Sequence, residues 1–119
     1  MSIFTTILAS LVALEHLYIM YLETFATHSD STSRVFNMTK DELQRKSVTT
    51  LFKNQGIYNG LLAIFLLYGI FTGSLEITTI FVLFVIGAAS YGAATSSPKI
   101  ILTQGGPAIL ALISILLFK

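Results

Sequence analysis

Four apolar stretches, each close to the length of a membrane crossing, constrain this chain more than any other feature of its sequence. They run from about Ser2 to Phe25, Gln55 to Thr72, Ile77 to Ala94 and Ile100 to Phe118. About 20 helical residues, rising about 1.5 Å each, cross a hydrocarbon core of about 30 Å. Inside lipid, every backbone N–H and C=O must be bonded within its segment or within a closed barrel. The stretches are too long and too continuously apolar for barrel strands, so helices are expected. Composition points the same way: 54% of the residues are hydrophobic and 11% charged, with a mean hydropathy of +0.79. A soluble domain carries about 25% charged residues, and this chain has too few to solvate a globular surface.

The same composition excludes several functions. A net charge of +1 provides no concentrated basic face for nucleic acid. The absence of cysteine removes disulfides, thiolate catalysis and cysteine-ligated metal. No cofactor is expected. With no Trp, an aromatic belt at the bilayer interface must come from Tyr and Phe. The first stretch has no basic leader and carries Glu15 and His16 where a signal peptide would be apolar, so it reads as a retained helix.

The connections differ in kind. Residues 71–76 make a short turn between helices two and three, and 95–99 another between three and four, with Pro98 barring helix continuation. Links this short imply antiparallel neighbours. The segment from Thr27 to Asn54 is polar and long. Within it, Thr39-Lys40-Asp41-Glu42 matches a capping box, and about 40–53 reads as an amphipathic helix at the interface or running into helix two. The expected fold is therefore all-α: one transmembrane domain over residues 1–119, an antiparallel up-down four-helix bundle with this extra helix in its first connection. Arg34, Lys40, Arg45, Lys46 and Lys53 crowd the first connection and Lys99 lies in the third. The positive-inside rule then makes the long loop cytoplasmic and places both termini outside a cell membrane.

Ionisable groups at helix centre cost about 2.5–3.5 kcal/mol on insertion scales and face the bundle interior. His16 and Glu23 are seven residues apart and share a stripe with Ile19 and Met20; Glu15 sits beside it. This pattern suits a hypothetical proton-transfer pair, His16 and Glu23, although the same groups also serve as interhelical glue. Helix two opens with Asn54-Gln55-Gly56-Ile57-Tyr58-Asn59-Gly60, in which Gln55 and Asn59 stack on one face and Gly56 and Gly60 on an adjacent one. Two amides can together present donors and acceptors to a ligand, and paired glycines let another backbone come close. Tyr91 closes helix three beyond Ala88, with Gly92 completing a small-residue face, and Gln104 precedes Gly105-Gly106-Pro107. Pro107 is expected to kink helix four. Glu15, Asn54, Gln55, Asn59, Tyr91 and Gln104 are thus the candidate substrate-binding residues. No metal site is expected, since one His and two carboxylates on separate turns match no metal spacing. His28 reads as a solvated interface residue.

Residues 16–25, the Asn54–Gly60 run, Tyr91-Gly92-Ala93-Ala94 and Gln104-Gly105-Gly106-Pro107 resemble the domain of unknown function 1304 family across essentially the whole chain. The family pattern often reads Leu-Glu-Met-Phe and then Trp near the end of helix one. Here Thr24 replaces the Met, and Ala26 or Thr27 stands where the Trp would be. The resemblance implies a four-helix membrane bundle with His16, Glu23, Asn54, Gln55, Asn59, Tyr91 and Gln104 as pattern positions. It implies no particular activity.

Three functions compete on these residues. One is a binding protein or carrier for a small amphipathic molecule with proton coupling, working as a homodimer through its small-residue helix faces. Another is an intramembrane enzyme of isomerase or epimerase type acting on a lipid-like substrate. The third is a structural or assembly protein among membrane lipids.

Overall fold

A computed structural model describes residues 1–95 and 103–119. Pro98, Lys99 and the expected start of the fourth helix at Ile100 lie outside the described residues. Those that are described form an all-α chain without strands. Its elements are α1 (Ile3–Met20), a π-helical turn (Tyr21–Phe25), α2 (Asp30–Phe36), α3 (Lys40–Gln44), α4 (Lys46–Phe71), α5 (Leu75–Thr95) and a last helix, here α6 (Gly106–Phe118). Among the described residues, three spans are long and apolar enough to cross a membrane: Ile3–Phe25, Lys46–Phe71 and Leu75–Thr95. α6 has 13 residues, about 20 Å of helix, and by itself falls short of a core of about 30 Å.

The burial pattern suits a chain surrounded by hydrocarbon. Along α1 and its π turn, Phe4, Ile7, Leu11, Leu14, Tyr18, Tyr21 and Phe25 form an exposed stripe at helical spacing. The opposite stripe, which is buried, holds Thr5, Ala9, Val12, His16, Ile19 and Glu23. Large apolar groups outside and small or polar groups inside invert the arrangement of a water-soluble helix. Lipid tails supply no hydrophobic drive between helices, so small residues and hydrogen bonds make the contacts.

Close packing divides the chain into two units, Met1–Glu15 with Ala63–Lys119, and His16–Leu62. In the first, Ser2 caps α1: its Oγ accepts from Thr5 N–H at 3.1 Å and donates to Thr5 Oγ1 at 3.0 Å. Thr5 Oγ1 lies 2.7 Å from Ser114 Oγ of α6, and the Phe4 and Phe118 rings meet with centroids 5.4 Å apart. α4 and α5 are joined through Gly73, whose φ of 67° is the left-handed region that glycine adopts freely. Gly69 lies against Ile77 and Thr78, and Phe65 packs on Phe81 at 6.1 Å. α5 packs along α6, with Val82, Val85, Ala89, Ala108 and Ala111 buried.

In the second unit, the capping box at Thr39 forms as its residues dictate, with Thr39 Oγ1 accepting from Glu42 N–H at 3.1 Å. The helix expected over 40–53 is divided. Arg45 is extended, with φ −63° and ψ 133°, and α4 starts afresh at Lys46 to run without interruption into the apolar segment. α2 was not foreseen. Its signal is local: Ser29 accepts from Thr32 N–H, Asp30 occupies the first turn, and Asn37 ends the helix with φ 53°.

Pro107 lies in the first turn of α6, where the missing N–H has no intrahelical acceptor to lose; the residues before Thr103, on which its expected kink depends, lie outside the described residues.

Candidate functional site

The best-defined polar constellation is built in the second unit, where α1 gives way to the π turn. Ala26 N–H reaches back five residues to the Tyr21 carbonyl at 2.9 Å. Widening a helix in this way disturbs its regular carbonyl pairing, and two threonines supply donors. Thr27 Oγ1 donates to the Glu23 carbonyl at 2.7 Å. Thr32 Oγ1, on α2, lies 3.0 Å from the Leu22 carbonyl and 2.7 Å from that of Ala26. The turn is thereby tied down at the point where it carries Glu23.

The Glu23 side chain points inward and is 5% exposed. Asn59 Nδ2 donates to its Oε1 at 2.7 Å. No Lys or Arg of the described residues pairs with this carboxyl. Lys53, on the same helix as Asn59, donates instead to the Thr24 carbonyl at 2.9 Å, and Thr24 Oγ1 donates to the Lys53 carbonyl at 3.0 Å.

Two glycines make this approach of helices close enough. A Cβ on Gly56 would overlap Thr24 Oγ1 and sit 3.0 Å from Thr24 N, while one on Gly60 would overlap Met20 Sδ. The small-residue face read in the sequence is therefore occupied within the chain, by Met20 and Thr24. Asn59 lies between the two glycines, which fixes the rotation of α4 that delivers its amide to Glu23.

The other expected site residues are distributed unevenly. His16 is 4% exposed, on the same buried stripe as Glu23 and seven residues before it. Asn54 and Gln55 are exposed, so only Asn59 of the three amides is brought to the carboxyl. In the first unit, Glu15 is half-buried and its Oε1 has no hydrogen-bond partner among the described residues. Tyr91 is 73% exposed, and Gln104 is half-buried in the turn before α6. Roles for Glu15, Tyr91 and Gln104 rest on the sequence pattern. His28 is exposed as expected, with Nε2 3.0 Å from Thr49 Oγ1. Thr24, Thr27 and Thr32 were missed by sequence reasoning, because a threonine near a helix end carries no mark of its acceptor.

A family profile described as "Protein of unknown function (DUF1304)" matches residues 10–116. The chain belongs to that family. It is also 65% identical over 116 residues to the "Uncharacterized protein YpaA" of Lactococcus lactis subsp. lactis (strain IL1403), an alignment covering 96% of this chain and 98% of that protein. No solved structure matches significantly. For this DUF1304 member, the geometry accounts for much of the Asn-Gln-Gly-x-Tyr-Asn-Gly run: two glycines for approach and one amide for the carboxyl.

Proposed function

We propose that this DUF1304 protein is an integral membrane binding protein for a small amphipathic molecule, with Glu23 as a proton-carrying group and His16 as its partner in proton transfer. The reading places the chain in the cell membrane as an antiparallel four-helix bundle, with the 26–45 connection in the cytoplasm and both termini outside. Contacts of Gly69 with Ile77 and of Phe65 with Phe81, both centred on Gly73, support the antiparallel pairing of α4 and α5. If two copies associate, α5 offers the exposed Ala88 and half-exposed Gly92 as a small-residue face.

One observation carries the proposal. A buried carboxyl at membrane depth is held by a neutral amide, Asn59, and by no Lys or Arg of the described residues. A cation at that place would lock the group in its ionised form. An amide accommodates both the acid and the carboxylate, so uptake and release of a proton can accompany a ligand.

The same bond at 2.7 Å, with Gly56 and Gly60 in close packing, favours a second reading, in which the pair is a clamp holding α1 to α4 in a structural membrane protein. Glu23→Gln separates the two, because Gln keeps an oxygen acceptor for Asn59 and loses the titratable proton. Purified protein incubated with a membrane lipid extract is analysed by mass spectrometry for retained small amphiphiles. The binding reading expects retention by wild type and its loss in Glu23→Gln at unchanged helix content. Phospholipids apart, equal retention of amphiphiles by both proteins, or none by wild type, supports the clamp.

A further inference from the structure

A second feature lies at the other end of the same unit, where α4 begins. Arg45, Lys46, Ser47, Thr50 and Leu51 line an open groove of about 810 Å³. Among the described residues neither cation in it is paired with a carboxylate. The other basic groups of this unit are engaged: Lys40 with Asp30, Lys53 with the Thr24 carbonyl, and Arg34 with Ser31 Oγ at 3.4 Å. The groove is lined mainly by apolar atoms of residues that also carry two cations, unpaired among the described residues, and two hydroxyls; Leu51 is 66% exposed.

The surface that continues from it has a direction. Ser47, Leu51, Asn54, Tyr58 and Leu61 follow one another at spacings of four, three, four and three residues, a single stripe on α4. All five are exposed. The stripe begins at Ser47 beside Arg45 and Lys46, passes Asn54, and is apolar and aromatic at Tyr58 and Leu61, where the helix enters its hydrophobic stretch. An occupant that matches it must be anionic at one end and hydrocarbon at the other, in the same order and on the same axis.

We propose that this groove seats one anionic phospholipid of the surrounding bilayer. Its phosphate lies against Arg45 and Lys46, with Ser47 and Thr50 donating hydroxyl hydrogen bonds, and an acyl chain follows Leu51, Tyr58 and Leu61. Arg offers a planar fork of donors to phosphate oxygens and Lys a point charge. The inference rests on the membrane placement proposed above and is independent of any role for Glu23.

The test is native mass spectrometry of the full-length protein released from nanodiscs of phosphatidylcholine containing phosphatidylglycerol. Wild type is expected to retain phosphatidylglycerol in preference to phosphatidylcholine. Two cations at about 1 kcal/mol each correspond to a fall of about thirty-fold in that retention for Arg45→Gln/Lys46→Gln, with phosphatidylcholine unaffected. Thr50→Glu, an exposed change that places a carboxylate in the groove, is expected to act in the same direction and provides a second route if the double variant folds poorly. Lys53→Gln and Glu23→Gln should leave the preference intact. Equal retention of the two lipids by wild type, or an undiminished preference in both groove variants, would overturn the proposal. A loss as large in Lys53→Gln as in the double variant would also overturn it, since the attraction would then belong to the whole basic loop.

Discussion

Asn59 Nδ2 donates to Glu23 Oε1 at 2.7 Å, between two glycines that pack against Met20 and Thr24 on either side of that carboxyl in the chain. Polar pairing and close helix approach are thus one arrangement, and each depends on the other. Interhelical hydrogen bonds in membranes average about 0.6 kcal/mol and reach about 1.7. Asn59→Ala should cost more than this, about 1–3 kcal/mol, because it leaves a buried acceptor without its donor. Glu23→Gln keeps the acceptor and should stay within about 1 kcal/mol of wild type. Reversible unfolding in mixed micelles, run as a double-mutant cycle, measures both; equal losses would contradict the assigned geometry.

The two glycines should not respond alike. At Gly56 an added methyl meets Thr24 at its hydroxyl, Cβ and backbone N, so relief requires moving a segment tied to Lys53. At Gly60 it meets the sulfur and Cγ of Met20, the mobile end of a flexible side chain. Gly56→Ala is expected to destabilise by about 1–3 kcal/mol, as overpacking does, and Gly60→Ala by less. Adding Thr24→Ala should recover part of the Gly56→Ala loss in the same unfolding assay.

Asp30 at the start of α2 pairs with Lys40 at the start of α3. The hydrogen bond and then the charge of Lys40 hold its carboxyl below the ordinary value of 3.8. A depressed carboxylate contributes stability that is fully present above its unfolded value and lost as pH falls through the lower folded value. Protection factors for amide exchange across residues 30–44, corrected for the intrinsic rate at each pH, should therefore be constant near neutral pH and fall as pH drops below about 4. Asp30→Asn should remove that dependence, and salt should weaken the pair because both side chains are exposed.

Ser2, Thr5 and Ser114 form a chain of hydroxyls: Ser2 Oγ donates to Thr5 Oγ1 at 3.0 Å, and Thr5 Oγ1 shares a hydrogen bond with Ser114 Oγ at 2.7 Å. Ser114→Ala should cost about 0.6 kcal/mol, and Thr5→Val more, because it breaks both links. Unfolding midpoints of the two variants test the order.

Much of the candidate site was legible in the sequence. His16 and Glu23 are conspicuous because ionisable groups at membrane depth are costly, and the structure buries both. The glycine pair was legible as a packing face from its spacing alone. Among Asn54, Gln55 and Asn59, the sequence pattern made all three candidates. Only the rotation of α4, set where Gly56 and Gly60 meet helix one, selects Asn59. The π turn was invisible for a related reason: nothing in Tyr21-Leu22-Glu23-Thr24-Phe25 forbids ordinary helix, and its carbonyls find their donors on Thr27 and Thr32 after the chain has folded back.

Sequence by itself pointed to the kind of solvent that suits this chain. Apolar lengths, sparse charge and a stripe of small and polar residues opposite large apolar ones are properties of one helix against lipid, and need no neighbour to be read. Tertiary structure decided the partnerships: which amide meets Glu23, which cations stay unpaired among the described residues at Arg45 and Lys46, and that Pro107 falls in the first turn of α6. Those depend on rotation and register between segments distant in the chain, where a hydrogen bond is made or lost over less than an ångström.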